Sequence, residues 1–120
     1  MPDPKPLSTG NPNPFPRGRR WKKTRFPCSP ETCCQLFSDP ARDPEAVSVR
    51  NLSGIGISLV LSHPIPPGTV VTVDLRNPSR QVDCRVPARV VSLERDPEGR
   101  FILEGTFTRE LSNKALQGFL

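Results

Sequence analysis

The chain has no tyrosine, one tryptophan, one methionine and one histidine, His63, in 120 residues. His63 stands beside Pro64 in a turn, and neither a G-x-x-x-x-G-K-[ST] loop nor a nucleophile elbow occurs. The side chains and loops that acid–base, phosphoryl-transfer or acyl-transfer catalysis needs are missing, so an enzyme is not expected. No apolar run approaches the ~18 residues of a membrane span, and the N-terminal stretch has no apolar core of the secretory kind. The expectation is a soluble, cytoplasmic protein with no membrane insertion. Four cysteines, Cys28, Cys33, Cys34 and Cys84, include no C-x-x-C pair, and adjacent Cys33 and Cys34 on a strand would point to opposite faces. Neither a zinc site nor a disulfide framework has its usual pattern, and reduced thiols with no resident metal or cofactor are expected.

Charge is present but unevenly placed. Residues 1–30 hold seven Lys or Arg against the single acid Asp3, whereas residues 31–120 hold ten against eleven. The net charge of +5 therefore comes entirely from the first quarter of the chain. A basic segment ahead of a near-neutral body points to an anionic partner met at one end. Eight of the sixteen prolines also fall in residues 1–30, and "MPDPKPLSTGNPNPFP" has no apolar periodicity. Residues 1–16 read as a disordered proline-rich tail, 17–30 as a basic arm, and 31–120 as the folded body.

Within the body the apolar residues recur every second position, the signature of half-buried strands. Val47 and Val49 alternate with Ser48 and Arg50. Ile55, Ile57, Leu59 and Leu61 alternate with Gly56, Ser58, Val60 and Ser62, and Val71, Val73 and Leu75 with Thr72 and Asp74. Val82, Cys84, Val86, Ala88 and Val90 continue the pattern until parity slips at Val91 and Leu93, as a β-bulge would produce. Phe101, Leu103, Gly105 and Phe107 give a last strand, with Phe101 and Phe107 pointing inward. "HPIPPGT", "RNPSR" and "DPEG" read as turns. With Thr32 to Phe37 there are about six short strands, a spacing that predicts a small antiparallel barrel. "LSNKALQGFL" predicts a helix over 111–120, capped by Ser112, with Leu111, Ala115, Leu116, Phe119 and Leu120 on one face packing on the barrel or plugging one end.

Two short stretches carry the chemistry. The basic cluster "RGRRWKKTRFP" (Arg17 to Pro27) supplies guanidinium groups, and about 25 residues later "NLSGIG" (Asn51 to Gly56) supplies an amide, a hydroxyl and two glycines. A guanidinium grips a phosphate bidentately, donates to guanine O6 and N7 or stacks on a base, whereas Lys22 and Lys23 offer only point charges. Asn51 and Ser53 can bond a guanine edge or fix the loop; Gly54 and Gly56 let backbone approach a ligand or take positive φ. Trp21 can add stacking on a base. Read alone, "NLSG" is also an ordinary strand-to-strand turn with self-bonding Asn and Ser.

"VRNLSGIGISLVL", followed by "PGTVVTVDL", a long strand carrying "ARVV" and a final "GTFTREL", resembles the PilZ domain family of cyclic di-GMP receptors over roughly residues 17–120. The family motif [D/N]-x-S-x-x-G is matched by Asn51, Ser53 and Gly56. A second motif, R-x-x-x-R before the first strand, is met at Arg25, but four residues earlier the chain has Trp21; Arg20 gives R-x-x-x-x-R instead. The resemblance implies a six-stranded antiparallel PilZ-like barrel binding cyclic di-GMP through Arg19, Arg20, Arg25, Asn51, Ser53 and Gly56. It also implies that the basic arm orders over the ligand, losing chain entropy and gaining charge-assisted hydrogen bonds, and signals to a separate protein effector. Two alternatives stay open. One is a PilZ-like protein-interaction domain that has lost the ligand; the other, disfavoured by the slightly acidic body and few aromatics, is a nucleic-acid-binding barrel. A monomer or weak dimer is expected.

Overall fold

The computed structural model describes residues 23–38 and 43–120. Six strands follow in order, β1 (Cys33–Phe37), β2 (Glu45–Leu52), β3 (Gly56–Leu61), β4 (Val70–Asn77), β5 (Val82–Arg95) and β6 (Phe101–Phe107), then helix α1 (Asn113–Gly118). All pairings are antiparallel in the order β1-β2-β3-β6-β5-β4, and β1 pairs with β4 to close a barrel. Closure removes the open edges that an isolated sheet of this size would expose. The all-β barrel with a C-terminal helix expected from the alternation is therefore the fold.

The alternating residues fill the barrel. Leu36, Leu52, Ile57, Leu59, Val73, Leu75, Val86 and Leu103 are wholly or almost wholly buried, and Ile65 from the first proline-rich turn joins them. Of the two phenylalanines expected inside, Phe107 is buried, while Phe101 is half-buried at the rim with the Arg95 guanidinium 5.4 Å from its ring centroid. The parity slip at Val91 is a register shift between Val90 and Ser92 opposite β6. A second shift, between Val49 and Asn51, occurs in β2 and was not expected. It carries β2 through Asn51 and Leu52, so Asn51 lies on a strand rather than in a loop.

The helix is shorter than the 111–120 expected. Leu111 is outside it because its amide donates to Gly54 O at 2.8 Å, and the first turn starts at Ser112, whose hydroxyl accepts from Ala115 N at 3.0 Å. Leu111, Leu116 and Phe119 are buried against one end of the barrel as a plug, each apolar side chain contributing roughly 1.5–3 kcal/mol by its burial. Asn77 Nδ2 donates to Gly118 O at 3.0 Å, anchoring the helix to the end of β4.

The proline-rich tail expected over residues 1–16 and residues 17–22 of the basic arm expected over 17–30, including Arg19, Arg20 and Trp21, lie outside the described residues. The remainder is fixed to the barrel. Phe26 forms an antiparallel bridge with Leu52 through amide–carbonyl bonds of 2.9 and 2.8 Å, and Ser29 N donates to Phe119 O at 2.9 Å. Phe26 and Cys28 pack against the core. A charge count sees only the lysines and arginines here and misses that Phe26 and Cys28 have apolar surface to bury.

All four cysteines are free, with Cys33 exposed and Cys34 buried on opposite faces of β1. Burial pushes the Cys28 thiol up to about 11 and, aided by neighbouring Cys28, Asp74 and Cys33, the Cys34 thiol up to about 12. At pH 8 only about one in a thousand Cys28 thiols or fewer is then the reactive thiolate. Dithionitrobenzoate at pH 8 should therefore label Cys33 ahead of Cys28 and Cys34, which react only as the barrel opens. Rapid labelling of all four in the folded protein would contradict this packing.

Candidate ligand-binding face

The site residues are placed by the two bulged strands. In β2, Val49 faces Leu59 inside the barrel, the bulge absorbs Arg50, and the next pairs are Asn51 with Ser58 and Leu52 with Ile57. Without the extra residue, Asn51 would share the inward parity of Val47 and Val49. The bulge instead turns Asn51 outward and Leu52 inward. Across β3, Ser58 pairs with Glu104 of β6, and Glu104 pairs with Ser92 of β5, just past the other bulge. Asn51, Ser58, Glu104 and Ser92 thus form a polar row across four neighbouring strands on the outer wall.

Arg25 lies over this row. The Phe26–Leu52 bridge holds the chain beside the end of β2, so the preceding side chain reaches across the face. Arg25 Nη1 donates to Asn51 Oδ1 at 3.0 Å, and Nη2 lies 3.1 Å from Glu104 Oε1. The two ion-pair side chains are 41% and 31% exposed, so solvent screens the pair and its net worth is below about 1 kcal/mol. Ser58, between the two anchors, is fully buried, and among the described residues its Oγ has no hydrogen-bond partner.

Ser53 and Gly56 shape the face from below. The buried Ser53 Oγ accepts from Gly56 N at 3.0 Å and Ile55 N at 3.3 Å and lies 3.3 Å from Gly56 O, while Ser53 N donates to Gly56 O at 2.9 Å. This hydroxyl closes the turn between β2 and β3. Gly54 and Gly56 do not use positive φ, which occurs among the described glycines at Gly68 and Gly99. What Gly56 supplies is closeness: a Cβ there would lie 2.6 Å from Gly105 O and 3.7 Å from Arg25 Nη2. β3 and β6 could not pair as they do with a side chain at this position, and the arginine lies directly above it.

Of the six candidate residues, Arg25, Asn51 and Gly56 meet on one face, Ser53 sits beneath it, and Arg19 and Arg20 lie outside the described residues. Sequence reasoning missed Ser58 and Glu104. Ser58 stood on the outward parity of its strand, but nothing local signals that Glu104 is its cross-strand neighbour. Among the described residues no group of acidic, histidine or cysteine side chains is arranged to hold a metal, and no helix is long and apolar enough to cross a membrane.

The PilZ domain model matches residues 19–119. The chain belongs to the PilZ domain family. PilZ domains are cyclic di-GMP receptor and effector modules rather than enzymes. Among solved structures, the fold is similar to that of the Bacillus subtilis inhibitor of motility MotI/DgrA, with a TM-score of 0.63 and 17% identity over 77% of this chain. The match spans 45% of that protein, so the likeness is one of the barrel fold. A search of curated proteins gives no significant match.

The Ser53 geometry separates a folding role from a binding one. Replacing Ser53 by Ala removes the acceptor of two loop amides, and the urea midpoint should fall by the equivalent of about 1–3 kcal/mol without any ligand present. An unchanged midpoint would mean that the hydroxyl does not hold this loop.

Proposed function

We propose that this PilZ domain binds cyclic di-GMP on the face formed by Arg25, Asn51 and the Ser53–Gly56 turn, and that binding repositions the basic stretch around Arg25 as its output to a separate protein. The observation that carries the reading is the convergence of Arg25 on Asn51 above a glycine with no side chain to fill the space. The guanidinium is the group for a phosphate or a guanine O6/N7 edge, and Asn51 can bond a base edge. Arg20 or Arg19 would supply the second guanidinium.

The contacts of Arg25 to Ser29 with the barrel change the expected mechanism. Arg25, Phe26, Cys28 and Ser29 already contact the barrel, so Arg25 acts by changing partners. A segment already held in place has less chain entropy to lose on binding, which leaves more of the charge-assisted bonding as affinity.

The second reading, a PilZ interaction domain without the ligand, is favoured by one feature: Trp21 stands where the family motif has its first arginine. Calorimetric titration decides between them. The expected result is saturable binding of cyclic di-GMP, absent with GTP and with a short single-stranded DNA, and weakened about tenfold or more by Arg25→Ala but not by Lys5→Ala. Silence with cyclic di-GMP would favour the interaction domain. Equal losses from both substitutions would mean non-specific charge attraction.

A further inference from the structure

We propose that Glu104 is a built-in competitor for the ligand: its carboxylate holds Arg25 across the binding face in the free protein, and an incoming phosphate must replace it as the counterion of that guanidinium. The proposal rests on the reading of this face as the cyclic di-GMP site, and it adds a residue that sets affinity there.

Three observations carry it. Arg25 is engaged at both ends of its fork, by Asn51 Oδ1 at 3.0 Å and by Glu104 Oε1 at 3.1 Å. The position between these anchors is Ser58, outward by parity since Ile57 and Leu59 are core, yet fully buried and, among the described residues, with its Oγ unpartnered. A Cβ on Gly56 would lie within 3.7 Å of Arg25 Nη2, so the guanidinium lies against the same surface a ligand would use. The free protein thus has its own arginine lying over the polar atoms of its binding face.

The chemistry of release follows. A ligand with two phosphates meets a guanidinium already neutralised by a carboxylate, and it meets that carboxylate's repulsion as well. Exchange of carboxylate for phosphate keeps the arginine paired and lets it swing off the row. Ser58 Oγ, which costs free energy while closed off without a partner, then gains one from ligand or water. Because both members of the ion pair are substantially exposed, the latch is weak and tunes affinity rather than blocking binding.

The test compares wild type, Glu104→Gln and Asp83→Asn by calorimetric titration with cyclic di-GMP at low and high salt. Asp83→Asn removes the same charge on the β4–β5 side of the barrel, where Asp83 pairs with Arg76. Glu104→Gln should bind about threefold to fivefold tighter than wild type, with the gain shrinking at high salt, while Asp83→Asn stays within about twofold. Binding by Glu104→Gln alone, with wild type silent, would need a block far stronger than this exposed pair supplies and overturns the weak latch. Equal tightening by both variants assigns the effect to overall charge and overturns the proposal. Wild-type binding that Glu104→Gln leaves unchanged or weakens overturns the latch and leaves the site reading standing. Silence from both proteins overturns the site reading and the latch with it.

Discussion

The arrangement of this face depends on strand register at two bulges. A side chain's face in a β-strand is fixed by parity, and one inserted residue reverses it for everything that follows. The insertion at Arg50 turns Asn51 outward and Leu52 inward. The insertion at Val91 does the same for Ser92 and Leu93, whose partners across β6 are Glu104 and Leu103. Polar residues line up on the outer wall while the apolar ones return to the core. The bridge from Phe26 to Leu52 then depends on Leu52 ending β2 in that orientation, and Arg25 is delivered by the bridge.

Folding and recognition share residues here but not atoms. The Ser53 hydroxyl is saturated by the turn it closes, so its contribution to a ligand face is to place Gly56 and Asn51. Arg25 is the opposite case: it is half-exposed, held by two acceptors of modest strength, and free to exchange them. A rigid floor with a weakly held cation above suits a receptor, because the energy of the change is concentrated in one exchangeable ion pair and the barrel beneath need not move.

Much of the barrel was legible in the sequence, since alternation is a local signal. The strands, the Ser112 cap and the bulge at Val91 could all be read from runs of a few residues. The bulge at Arg50 was equally legible in principle, because Val49 and Leu52 are an odd number of positions apart while both face inward; the motif drew Asn51 into the loop instead. What could not be read was pairing between distant segments. The β1–β4 closure, the Phe26–Leu52 bridge and the Arg25–Glu104 contact join residues far apart in the chain, and no local periodicity encodes which strand lies beside which. For the same reason Glu104 looked like any outward acid on a strand, and the contacts of Arg25 to Ser29 with the barrel could not be read from the charge of the basic arm.

The central claim is that the row Asn51–Ser58–Glu104, with Arg25 above it, is where this domain meets cyclic di-GMP. The direct measurement is amide chemical-shift mapping of the nitrogen-15-labelled protein during titration with that ligand. The account predicts saturable shifts concentrated at Arg25, Phe26, Asn51 to Ser58 and Glu104, with the β1–β4 wall unmoved. Shifts centred on the β1–β4 wall, or none at saturating ligand, would contradict it.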